Sequence, residues 1–124
     1  MKTAEQIRIG ISRSIGTEKY TRHFMGLLMT DGVVQLREDA DCYWLIDAIA
    51  SYKRTEEFQI WELKVDLEKK TAVLTMKEDS DKPAKVKQEF EYTNFPLDNV
   101  KFYLQLGSID GVNPAYILML TNEY

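Results

Sequence analysis

"FQIWELKVDLEKKTAVLTMKED", residues Phe58–Asp79, decides the fold class of this chain. Its two runs alternate apolar and polar side chains with a period of two, the pattern of strands buried on one face. Trp61, Leu63, Val65 and Leu67 fall on one face of the first run, with Glu62, Lys64 and Asp66 on the other. The second run turns Ala72, Leu74 and Met76 inward. Glu68, Lys69 and Lys70 form a short polar turn between them, so the two runs read as a β-hairpin.

The same reading continues downstream. "DSDKPA" is a turn, and its Pro83 is barred from a central strand. "KVKQEFEY" sends Val86, Phe90 and Tyr92 inward and Lys85, Lys87, Glu89 and Glu91 outward. The chain turns again at Pro96 in "TNFPLDNV", where Phe95 is expected in the core because an apolar ring in a proline turn needs somewhere to bury. "VKFYLQLG" points Val100, Phe102, Leu104 and Leu106 inward. After the loop "SIDGVNP", "AYILML" is apolar on both faces, which predicts a central strand.

Upstream the period lengthens. Thr3 with Glu5 and Gln6 reads as a capped helix start, with Ile7, Ile11 and Ile15 on one side and Gly16 placed to end it. "TEKYTRHFMGLLMTDG" resists a single period. Tyr20, His23, Phe24, Leu27 and Leu28 have helical spacing, but Gly26 and the Thr-Asp-Gly turn break it. Asp31 is expected to cap a helix carrying Val33, Val34 and Leu36. Asp41 is expected to cap a second, from Cys42 to Lys53, closing on the basic pair Lys53 and Arg54. That second helix is apolar nearly all round, with Cys42, Leu45, Ile46, Ile49 and Tyr52 toward the sheet and Trp44 and Ala48 on a flank. The prediction is an α+β domain spanning 1–124, with N-terminal helices packed on one face of an antiparallel sheet of about five strands. Residues 1–19 form a helix or arm, 20–54 the helical part and 55–124 the sheet.

Composition narrows function. The hydrophobic share of 44% and charged share of 29% are those of a globular domain, and the net charge of −4 argues against a nucleic-acid partner. One cysteine and one histidine exclude an internal disulfide and Cys- or His-rich metal clusters. No run reaches the roughly 20 apolar residues of a membrane span, and Gln6, Arg8, Ser12 and Arg13 interrupt any leader-like stretch. The expectation is a cytoplasmic protein, or one released into a host cytoplasm, without cofactor or metal. The acidic runs "EDAD" (Glu38–Asp41) and "EDSD" (Glu78–Asp81) lack calcium-loop spacing and read as solvated turns.

Asp47 is the one carboxylate in the middle of the apolar helix, and it asks for a partner. The expectation is an anchor, less than half exposed, bonded to backbone N–H groups or to a nearby Thr, Tyr or Arg. The catalytic candidates are Asp47, His23 and Asp31; a Cys42–His23 pair stays open as a nucleophile and base. Trp44, Tyr52, Tyr103, Glu123 and Tyr124 are the binding candidates, with Glu123 expected to meet Arg22 or Arg37 and Tyr124 to lie on the helix layer. Trp61 reads as a core anchor.

Four stretches, "TDG" at Thr30–Gly32, "YWLIDAI" at Tyr43–Ile49, "TNFPL" at Thr93–Leu97 and "LTNEY" at Leu120–Tyr124, resemble the motifs of an uncharacterised family. Its members are small single-domain proteins from bacteria and their phages. The likeness runs from Tyr20 onward and brings no activity with it. It implies a phage- or mobile-element-linked accessory protein that binds and modulates a larger machine. Two functions follow. The first is a protein-interaction module using an edge strand or an aromatic rim of Tyr20, Tyr52, Tyr103 and Tyr116. The second is a small enzyme or ligand binder with a carboxylate-lined pocket around Asp47, joined by Asp31, His23 or Glu123.

Overall fold

In the computed structural model, residues 2–13, 19–108 and 111–124 are described. The expected hairpin lies inside one continuous sheet. Strand β3 (Phe58–Asp66) pairs antiparallel with β4 (Thr71–Lys77), from Ile60 opposite Lys77 to Asp66 opposite Thr71. The Asp66 carboxylate accepts the backbone N–H groups of Glu68 and Lys69 at 3.1 and 3.0 Å, and Lys70 takes a φ of +58° to close the turn. The other long strands are β5 (Val86–Phe90), β6 (Asn99–Gly107) and β7 (Ala115–Leu120).

Two further strands, β1 (Thr21–Arg22) and β2 (Leu28–Met29), bring the sheet among the described residues to seven rather than five, in the order β1-β2-β7-β6-β3-β4-β5. Each is two residues long, too short to show a period. β2 runs parallel to β7, so the sheet is mixed where a wholly antiparallel one was expected. β7 does lie inside it, between β2 and β6.

Among the described residues three α-helices complete the fold: α1 (Ala4–Ser12), α2 (Asp31–Asp39) and α3 (Tyr43–Ser51). Thr3 caps α1 as expected, in a reciprocal box with Gln6. The expectations for Ile15 and Gly16 lie outside the described residues. The cap of α2 is Thr30, not Asp31: the Thr30 hydroxyl accepts the Val33 N–H while Asp31 begins the first turn. Asp41 is not a cap either. It sits at φ +50°, and Cys42 holds the cap position with no side-chain bond. α3 stops at Ser51, because Tyr52 is already extended.

One apolar cluster joins Trp61, Leu63, Leu74, Phe102, Leu104 and Leu118 of the strands to Ile7 of α1, Val33 and Leu36 of α2, and Leu45, Ile46 and Ile49 of α3. Phe95 is buried in it, as its turn predicted. Leu67 and Tyr92 are exposed instead of inward, because β3 ends at Asp66 and β5 at Phe90, just short of each. Among the described residues no helix is long and apolar enough to cross a membrane.

Candidate functional site

Within the segment that resisted a period, residues 21–29 form the β1–β2 hairpin. The His23 N–H donates to the Leu27 carbonyl at 2.8 Å and the Gly26 N–H to the His23 carbonyl at 2.9 Å, with Gly26 at φ +102°. This turn aims the His23 ring inward, 2% exposed. Its Nε2 lies 2.7 Å from Oδ1 of Asp47. Its Nδ1 accepts the Met25 N–H at 3.0 Å, so the ring proton belongs on Nε2 and is donated to Asp47. Arg54 reinforces the joint, donating to the carbonyls of Met25 and Ala50. Asp47 does have a buried hydrogen-bond partner, but it is His23 rather than a backbone N–H, Thr, Tyr or Arg. Its side chain is 45% exposed.

A His–Asp pair works as a general base when the second ring nitrogen faces a substrate. Here the backbone of Met25 occupies that nitrogen. Cys42 does not join the pair. It is fully buried, its thiol donates to the Leu36 carbonyl, and burial pushes its pKa up to about 12. Asp31 stays on the first turn of α2.

A second joint ties two of the quoted motifs together. Glu123 accepts the Thr30 hydroxyl at 2.7 Å, the Gly32 N–H at 3.2 Å and the Leu120 N–H at 2.9 Å. Its carboxylate therefore covers the N-terminus of α2, where free N–H groups and the helix dipole favour negative charge. That is why it does not take the expected place beside Arg22 or Arg37. Gly32 makes room: a Cβ there would stand 2.6 Å from Oε1 of Glu123. Arg37 meets the Tyr43 ring instead, at 4.5 Å.

The neighbouring Tyr124 does not lie on the helix layer. Its ring packs edge-on to Tyr103 and Phe58, at 5.3 and 5.7 Å, and those two rings lie 5.1 Å apart. Phe58 alternates with Gln59 and Trp61, and Tyr103 stands opposite Ile60 and Met119, so this trio is on the sheet face away from Trp61. Tyr124 remains 70% exposed. Two of the expected binding residues are brought together, with Phe58 as a third that the sequence reading passed over.

The others are separated. The Tyr52 ring packs on Trp61 and its hydroxyl donates to Gln88, while Trp44 is edge-on to Phe90. The Tyr116 hydroxyl donates to the Glu56 carbonyl. Tyr52 and Tyr116 belong to the Trp61 side and Tyr103 to the opposite side, so the expected aromatic rim is divided.

The sequence model of a family of unknown function, DUF6876, matches residues 5–124. The chain belongs to this family. The match takes in α1, ahead of Tyr20 where the resemblance of the motifs begins. No curated protein and no solved structure matches the chain.

In this DUF6876 chain one more polar network escaped the sequence reading. The indole N–H of buried Trp61 donates to Gln59, whose amide donates to Glu56. Glu56 also accepts from the Thr55 hydroxyl and from Lys85, and these hold its carboxyl down at a pKa of about 2. Lys85 and Lys82 both reach Glu78, so that part of "EDSD" is paired with lysine. In "EDAD", Asp39 pairs with Lys2 and Gln35. Among the described residues no three His, Cys, Asp or Glu side chains converge as metal ligands. The hollow beside Thr93, Phe95 and Pro96 contains none of Asp47, His23, Asp31 or Glu123.

Proposed function

We propose that this chain is a non-enzymatic protein-interaction module that receives its partner on the Phe58–Tyr103–Tyr124 platform. One observation carries the reading: three segments distant in sequence bring three rings onto one sheet face and leave the outermost largely in water. Such rings bury much area at little entropic cost and dominate the energy of many interfaces. The groups that chemistry would need are engaged elsewhere, with His23 bonded at both ring nitrogens. On this reading helices α1–α3 back one face of the sheet and leave the other to the partner. The protein then acts in the cytoplasm as an accessory to a larger machine, in keeping with the phage and bacterial resemblance of its motifs.

The test is capture from native lysate with the parent chain and with Tyr124→Ala, alongside thermal melts of both. The parent should retain a stoichiometric protein that Tyr124→Ala loses while melting within about 1 °C of the parent, as a substitution at a mostly exposed position should. Equal capture by both chains would take the platform out of the interface. A substrate turned over by the parent and not by Asp47→Asn would replace the module with an enzyme.

A further inference from the structure

Among the described residues the sheet ends on β5, which has β4 on one side and is last in the strand order. An open edge of this kind is a template for another strand, and proteins commonly blunt it with charge. A guard of one sign repels every other copy of itself. The charges around β5 instead change sign about its centre: Lys85-Val86-Lys87-Gln88-Glu89-Phe90-Glu91.

We infer that two copies of this chain pair antiparallel through β5, with the two-fold axis at Gln88, to make one sheet of both. In that register Lys87 stands opposite Glu89 of the second copy, and Glu89 opposite its Lys87. The pleat allows it. Lys87 and Glu89 face the same way, in line with Thr75 and Val73 of β4, and both are exposed. On the other face Val86 comes opposite Phe90 of the second copy. Both are half-buried and packed against the apolar cluster.

The charges also reject the neighbouring registers. An axis at Lys87 sets lysine against lysine, and an axis at Glu89 sets glutamate against glutamate. An axis between residues opposes side chains that point to different faces. Lys85 takes no part, because its ammonium is already shared by Glu56 and Glu78. The opposite edge, β1, is two residues long and offers no comparable length of strand. The inference does not depend on the platform, whose strands β3 and β6 lie two or more places inward of β5.

Sedimentation equilibrium on the full chain over a rising concentration series reads the result directly. The parent should pass from 14.5 kDa to twice that mass. Lys87→Glu alone, or Glu89→Lys alone, should weaken the dimer by about tenfold or more, because each turns attractive cross-strand pairs into repulsive ones. An equimolar mixture of those two variants should form a 1:1 heterodimer, and the double exchange Lys87→Glu with Glu89→Lys should restore the homodimer. Circular dichroism checks that each variant is folded, and Lys87→Gln serves if Lys87→Glu is not. Tyr124→Ala should dimerise like the parent. A parent that stays monomeric overturns the inference. So do single variants that dimerise unchanged, a double exchange that fails to recover, or a dimer lost with Tyr124→Ala.

Discussion

Residues 58–120 and residues 20–54 share one core but are positioned by different means. In the sheet half, neighbours follow from register: Trp61 stands between Met76 and Phe102, and Leu63 between Leu74 and Val100. In the earlier half, two strands of two residues and two helices of nine reach the same core, and a few polar joints between distant residues hold them in place as well. His23 reaches Asp47 across 24 positions, and Thr30 reaches Glu123 across 93. Apolar burial stabilises both halves, since Val33, Leu36, Leu45, Ile46 and Ile49 share one core with Trp61 and Leu63. What the earlier half adds is donors that would otherwise be buried unpaired.

The sharpest way to break the sheet half is Trp61→Ala. The indole is fully buried, so its loss should cost about 3–5 kcal/mol, read as a lower urea midpoint. Gly32→Ala comes next and strikes the joint between the two halves. The added Cβ forces Glu123 away and should cost about 2 kcal/mol through the bonds lost at the N-terminus of α2. If the comparison holds, Gly32→Ala and Glu123→Ala will be far from additive in a double-mutant cycle, because each removes the same joint. Additive costs would mean that the two residues act separately.

Asp47→Ala should be the mildest of the three, at about 1–2 kcal/mol, since it strands the Nε2 proton of buried His23 while the carboxylate itself is partly in water. His23→Ala should cost at least as much, because the buried ring also fills space. An Asp47→Ala chain that melted with the parent would show that the joint contributes nothing to the fold, and the reading of Asp47 as an anchor would go with it.

This division also explains what could be read from sequence. β3 to β7 were legible because alternation reports burial locally, residue by residue. The same rule failed by one or two residues at Leu67 and Tyr92, where the alternation outlasts the strand. β1 and β2 carry no period at all. Asp47 was visibly out of place in an apolar helix, but nothing near it pointed to His23, whose inward aim depends on the turn at Gly26. Glu123 was expected to seek a cation. It found a helix N-terminus, which carries positive character without any charged side chain to reveal it. Phe58 was passed over because it begins the face shared with Glu62 and Lys64, where the eye sees charge.

The place of β7 sets an order of events during synthesis. β3 and β4 can zip together soon after Lys77 is made, because each is the other's neighbour in sequence and in space. β2 cannot join the sheet until residues 115–120 exist, and α2 waits three residues longer for the carboxylate that covers Gly32. β2 and the first turn of α2 are thus made well before the residues that seat them. Through that interval Leu28 and Met29, buried in the finished protein, lack the strand that will cover them, and the nascent chain exposes apolar surface of the kind that chaperones recognise.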